Sequence, residues 1–418
     1  MEQKFVQKRI DFLHETSTGK LKVSDLISLL DEHPYKDKVL KSFNVDNIIT
    51  EVICIDNIDV VFNRVRFLNE EFKRFNVLAH SKDINITQHP TEIDDIPDLR
   101  PLVFNFGEYV EDSEIKTDLS CFAIYNSKNS FFDEYDMAKY ANRLYKEDLG
   151  ELADINLKYF KALAESDDRF NTHRSYRLVW HNDNIFLRGI TSVNRYFEYG
   201  VDFTFVVTML MLHLDMKSNE GNDYEISSAA LSESKLELIV SEKQFRDAGE
   251  FGKVSTAIVI STNDLGDGSL NYTKIIKVGV ESYNGLFLFP KPENSHENKF
   301  SISHSTGPDK TMLKINDVMQ QLNNTDDFIQ ELLTVKGIKT PDELRARIFT
   351  KLSNKQSAFK EIKTLADIFK TPIENEISSF SKLLEMCNKA EELEIDYDLK
   401  DKLRYIISDI ILSRGREK

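Results

Sequence analysis

The spacing of apolar residues changes character along this chain. Up to about residue 170, helical and extended signals alternate. Leu26, Ile27, Leu29 and Leu30 share one side of a helix predicted over 23–30, with Ser24 as its cap. The β-branched run 52–62 reads as a strand. Phe67, Leu68, Phe72 and Phe75 then return 65–78 to helical spacing. Pro90, Pro97 and Pro101 make much of the acidic segment 91–118 a loop, and 131–163 reads as one or two helices. From 176 to 289 the pattern is that of strands. Segments 176–180 and 185–190 flank Asn182, Asp183 and Asn184, residues suited to a tight hairpin turn. Residues 199–214 are apolar on nearly all sides and read as a buried helix, with a strand as the alternative over so apolar a run. Further strands are predicted at 236–240, 254–260, 270–280 and 286–289, with Gly266, Asp267 and Gly268 suiting a hairpin. Pro290, Pro292 and a polar run form a linker. Three-and-four spacing then covers 316–333, 341–352, 359–369, 373–393 and 399–412, with Pro341 and Pro372 at first-turn positions.

The result is an α+β chain: a mixed N-terminal unit over 1–170, a central antiparallel β-rich domain over 171–292, a linker over 293–310 and a helical C-terminal region over 311–418. Composition adds limits. The 418 residues carry 54 Lys+Arg against 70 Asp+Glu, a net charge of -16, which disfavours a generic polyanion binder unless a local basic patch overrides it. With 28 Phe and 15 Tyr the chain has apolar area for real cores and is no disordered segment. Cys54, Cys121 and Cys387 are far apart and form neither a zinc knuckle nor a disulfide framework. They read as reduced, buried thiols. The opening residues lack a signal-peptide core. The most apolar stretch, 201–216, is broken by Thr204, Thr208, His213 and Asp215, too polar to span a bilayer. A cytoplasmic protein without a membrane segment is expected.

Candidate chemistry is sparse. Gly249 to Lys253 fails the phosphate-loop pattern, because Asp247 and Val254 stand where Gly and Ser/Thr are needed. No metal-binding histidine pair and no nucleophile elbow occurs, so no cofactor, metal or catalytic residue is assigned. Asp98 with Glu114 and Lys116 has the order of a Mg²⁺-dependent nuclease site, carboxylates on the ion and lysine on the water. Glu361-Ile362-Lys363 repeats the pattern from a helix, which shows how cheap it is. Asp133, Glu134 and Asp136 could ligate a divalent ion, and the solvated start of a helix explains them more simply. Arg174, Arg177, Trp180, Arg188 and Arg195, interleaved with Tyr176 and Phe186, make the most basic segment. Arginines and aromatics on one sheet face suit single-stranded nucleic acid, by charge and base stacking. The alternative sends the aromatics into the core and the arginines to water.

Four local patterns, in order, resemble the phage/plasmid-like protein family, a domain of unknown function. They are Arg188-Gly189-Ile190-Thr191-Ser192 with Tyr196, the strand–turn–strand unit from Ile258 to Leu270 with its Gly266-Asp267-Gly268 turn, Tyr283-Asn284-Gly285-Leu286, and Ile302-Ser303-His304-Ser305-Thr306-Gly307. The resemblance covers about 172–330. Ser282 stands near where the family often has Cys, and the first 170 residues show none of its usual opening. It implies an accessory protein of a phage or other mobile element, acting in host takeover, anti-defence or replication support, and it carries no catalytic residues across. The motif residues themselves suit turns, with Asn263, Asp264 and His304 as a polar cluster at one sheet end and Arg188 placed for an anion or an acid such as Glu237. The amphipathic C-terminal helices suit a protein partner or self-association. Single-stranded nucleic acid is the alternative partner.

Overall fold

The computed structural model describes residues 5–91, 93, 101–164, 166–219, 221–266, 268–279, 286–289, 299–322, 340–354, 357–359, 362–370, 377–393, 395 and 397–412. Its first part runs β1 (Lys8–Arg9), β2 (Lys20–Lys22), α1 (Val23–Ser28), α2 (Lys36–Ser42), β3 (Val52–Cys54), α3 (Ile58–Glu71), β4 (Lys73–His80), β5 (Ile84–Gln88), β6 (Leu102–Glu111), β7 (Glu114–Ala123), α4 (Ser127–Asp133), α5 (Ala138–Lys146) and α6 (Gly150–Leu163). The middle holds β8 (His173–His181), β9 (Asn184–Ser192), α7 (Gly200–Ser218), β10 (Tyr224–Leu231), β11 (Lys235–Glu242), β12 (Arg246–Asp247), β13 (Lys253–Asn263), β14 (Ser269–Val278), β15 (Leu286–Leu288) and β16 (Lys299–Ser303). Then come α8 (Pro308–Leu322), α9 (Pro341–Ser353), α10 (Lys363–Phe369), α11 (Phe380–Glu391) and α12 (Tyr397–Ile411). The protein is α+β.

Several local expectations change. Only Val52–Cys54 of the run 52–62 is extended. Asn57 adopts a left-handed backbone (φ 67°) and α3 starts behind it, burying Ile58, Val61, Phe62, Val65 and Leu68. Three-and-four spacing outweighs β-branched composition there. The helix expected over 65–78 stops at Glu71, and β4 follows, paired along its length with β8. Much of the loop expected over 91–118 is a β6–β7 hairpin, turned by Asp112 and Ser113 at φ 49° and 68°. Ser24 lies inside α1 and does not cap it. Thr340 does cap α9, with Pro341 in the first turn. Pro372 and the Asn284-Gly285 turn lie outside the described residues.

Two large sheets form the frame. The six-stranded sheet has the order β4-β8-β9-β7-β6-β5, antiparallel except where β7 meets β9. The boundary expected near residue 170 therefore runs through a sheet. Tyr176, Leu178 and Leu187 of this sheet pack with Phe131, Phe132, Leu144 and Leu157 of α4–α6. The eight-stranded sheet follows β1-β10-β11-β13-β14-β15, and β16 pairs with β14. The segment expected as a linker thus contains a strand and the start of α8. Helix α7 is buried along almost its whole length and shares a core with Leu238, Val240, Ile258 and Ile260. Its Thr204 and Thr208 hydroxyls donate to carbonyls one turn back, which satisfies them in that apolar setting. Leu344, Ile348, Leu383 and Ile407 of the C-terminal helices pack on Val254, Ile276 and Leu288. The buried apolar sides of those helices rest on the protein's own sheet. No helix among the described residues is long and apolar enough to cross a membrane.

Candidate functional site at the seam of the two sheets

Arg177 on β8 and Arg188 on β9 are each 1% exposed. Tyr176 and Leu178 point into the α4–α6 core, so strand alternation turns Arg177 to the opposite face. There it meets the end of β13. Arg177 Nη2 lies 2.6 Å from Asp264 Oδ2, and Nη1 donates to the Asp264 carbonyl. Glu198 Oε1 lies 2.6 Å from both Arg177 and Arg188, and Arg188 also donates to Ser234 Oγ at 3.1 Å. Two cations and two anions cancel within one buried joint. Tyr196 donates to Asp264 Oδ1 at 3.0 Å and lays its ring against the Arg177 guanidinium. Burial pushes the Asp264 carboxyl above its ordinary range, against the pull of Arg177. Burial acts on Glu198 too, but Arg177 and Arg188 hold it well below the usual carboxylate range. The approach is close enough that a Cβ at Gly189 would overlap the Leu265 carbonyl oxygen.

His304, just after β16, completes the joint. Its ring stacks on Tyr196 at 4.6 Å between centroids. Nδ1 lies 2.8 Å from the Phe197 carbonyl and Nε2 3.1 Å from that of Asn263. Asn263, Asp264 and His304 thus meet, as the sequence suggested. Three of the four family-like patterns, separated by scores of residues, converge on this seam.

Above the joint lies a cleft of about 550 Å³ lined by Asp133, Glu134, Arg174, Thr191, Ser192, Arg195, Tyr196, Gly266, Gly268, Ser303, His304 and Ser305, among others. Arg174 Nε lies 3.2 Å from Glu134, which also accepts from Thr172. Burial raises the Glu134 carboxyl against those two donors. Once Arg174 and Glu134 cancel, Arg195 and Asp133 remain on the rim, both exposed and neither ion-paired with a described residue. Ser303 and Ser305 share a hydroxyl contact of 2.9 Å. The imidazole beside them, His304, has both nitrogens on backbone carbonyls, so it is not placed to activate a serine. This arrangement is suited to holding a ligand.

The structure separates the sequence-predicted residues. Arg174 and Arg195 share the cleft, while Arg177 and Arg188 lie buried beneath it. Trp180, 49% exposed, sits at the other end of β8 with its indole N–H on the Asn182 carbonyl. No continuous arginine–aromatic face exists, because β8 is buried on both sides over Tyr176, Arg177, Leu178 and Val179. Glu237 is paired with Arg404 at 2.8 Å, not with Arg188. Glu114 and Lys116 lie near the tip of the β6–β7 hairpin, Lys116 on Glu111 at 2.8 Å, and Asp98 is outside the described residues. Among the described residues no group of three His, Cys, Asp or Glu is placed to hold a metal. Cys54, expected buried, is exposed, while Cys121 and Cys387 are buried. Sequence reasoning did not connect Asp133, Glu134, Ser303 and Ser305 to the site. They come from two distant segments, and no local signal joins the one to the other.

The chain matches no family model, no curated protein and no solved structure.

Proposed function

We propose that the protein acts by binding, without catalysis, and that the seam cleft takes a small polar molecule carrying an anionic group. The observation that carries this reading is the cleft's charge arrangement. One exposed arginine, Arg195, and one exposed carboxylate, Asp133, stand on the rim of a hydroxyl-rich lining, each with its charge unpaired by a described residue. An unpaired guanidinium is a ready fork for a carboxylate or phosphate, and clefts where two layers meet are common ligand sites. Asp133 supplies an acceptor for a donor on the same ligand. A long nucleic-acid strand fits less well, because Arg177 and Arg188 are engaged in the joint and the whole chain carries -16. The resemblance supports an accessory role in a phage or other mobile element, within the host cytoplasm.

The test is a thermal-shift screen of nucleoside monophosphates, sugar phosphates and free amino acids, followed by calorimetry. At least one probe should bind saturably, and Arg195→Ala should weaken it by about tenfold, which is about 1.4 kcal/mol, leaving the unliganded Tm unchanged. No shift with any probe would end this reading. A labelled single-stranded oligonucleotide that binds with steep salt dependence would favour nucleic acid in its place.

A further inference from the structure

Helix α6 buries Ala153 and Leu157 in the core it shares with α4, α5 and the six-stranded sheet, as an amphipathic surface helix should. Its outer side is apolar as well. Leu149, just before the helix, and Leu152, Ile155 and Tyr159 are 50%, 45%, 61% and 64% exposed. Spacing of three and four residues places them in one stripe. Beside the stripe stand exposed Glu151 and Lys158, one on each side of Asp154 along the helix. A contiguous apolar stripe of this kind marks an interaction surface more often than a stray exposed side chain does.

We propose that this face is the interface of a homodimer, with α6 packed antiparallel on α6 of a second copy. A single register satisfies every member of the stripe. With the two-fold axis crossing near Asp154, Leu149 lies against Tyr159 of the other copy, Leu152 against Ile155, and Glu151 against Lys158. Each pairing occurs twice, as an isologous contact requires. A parallel arrangement would place the Glu151 and Lys158 flanks of the two copies on opposite sides of the interface, leaving those charges without each other, and it would align the two helix dipoles unfavourably. The reversal of charge about the centre is what selects a second copy as the occupant. Because one helix stripe falls at the small end of interface sizes, below about 1,200 Å², the dimer is expected to dissociate in the micromolar range. The inference is independent of the cleft reading.

Sedimentation velocity of the full chain across a concentration series tests it. The wild type should shift from monomer to dimer as concentration rises. Ile155→Glu should stay monomeric throughout with unchanged circular dichroism and Tm, since the site is exposed. Lys158→Glu should weaken the dimer by about tenfold, and Glu151→Lys combined with Lys158→Glu should restore it. A wild type that remains monomeric overturns the proposal and assigns the face to a different partner. Dimerisation that survives Ile155→Glu, or a reversed charge pair that fails to recover it, overturns it equally.

Discussion

Arg177→Met tests whether the two sheets are locked by charge as well as by packing. Methionine keeps the apolar stem and removes the guanidinium, leaving Asp264 and Glu198 to face Arg188 alone. One buried negative charge is then unbalanced. Arg177 approaches each carboxylate to 2.6 Å, a separation that gives several kcal/mol of attraction even at an effective dielectric of about 20. Desolvation offsets most of that, and breaking such a pair from one side costs about 3–5 kcal/mol. Glu198 is 25% exposed, so water screens its share and the lower end of that range is expected. Asp264→Leu should cost a similar amount, because it leaves Arg177 and Arg188 to share Glu198 and removes the acceptor of the Tyr196 hydroxyl. The double variant leaves Arg188 and Glu198 still paired at 2.6 Å, so charge balance returns. Its loss should fall short of the sum of the singles by about 2 kcal/mol. Urea unfolding followed through Trp180, the protein's single tryptophan and a residue of β8, reads this out beside far-UV circular dichroism. Additive losses would refute the coupling. A single variant within about 0.5 kcal/mol of wild type would refute the burial of charge.

Glu237 provides a pH test. Burial raises its carboxyl from 4.5 to about 7, against the pull of Arg404. The folded state therefore holds a proton that the unfolded chain releases earlier, and stability falls as pH rises from 4.5 to about 7. Glu237→Gln lacks this dependence, so its Tm should gain on the wild type between those limits; a constant gap would sink the idea. Lys161 runs the other way: burial lowers it from 10.5 to about 8, so its contribution grows as pH rises from about 8 to 10.5. Side-chain ¹⁵N NMR should find an amine titrating near 8, absent in Lys161→Met, and a titration at the ordinary lysine position would disprove it. Thiol titration should find one fast cysteine, Cys54, with Cys121 and Cys387 reacting only on unfolding. Immediate reaction of all three would contradict the burial.

How much could be read in advance depended on how local the cause was. The β8–β9 hairpin and α7 follow from neighbours in sequence, a turn triplet in one and an apolar run in the other, and both stand in the structure. Between 52 and 80, composition and spacing disagreed. The helix formed where Ile58, Val61, Phe62, Val65 and Leu68 share a face, and the strand began only after Phe72. The turn residues around Gly266 and Gly268 and the polar set Asn263, Asp264 and His304 were legible as a cluster at a sheet end. Its other half was not. Arg177 meets Asp264 across 87 positions of sequence, and nothing local announces a partner that far away. The expected wet side of β8 failed for a related reason. Alternation marks a solvent face only when a sheet is covered on one side, and the second sheet and its joint cover the other.

That burial also sharpens the choice between a small ligand and a strand, because salt dependence counts the cations a site can use. If Arg174, Arg177, Arg188 and Arg195 all neutralised phosphates, affinity for a single strand would fall with a log–log slope of about 2.8, at about 0.7 per contact. With Arg177 and Arg188 held by Asp264 and Glu198, only Arg174 and Arg195 can contribute, and the slope drops to about 1.4. Arg174 must in addition leave Glu134, 3.2 Å away, to contribute in full, and a small anion, which carries no condensed counterion layer, should lose affinity with salt less steeply than either figure. A slope close to three would mean that the joint opens on binding. In that case Asp264→Leu, which removes one of the two carboxylates that hold Arg177, should strengthen binding, whereas a site confined to the cleft should leave it unchanged.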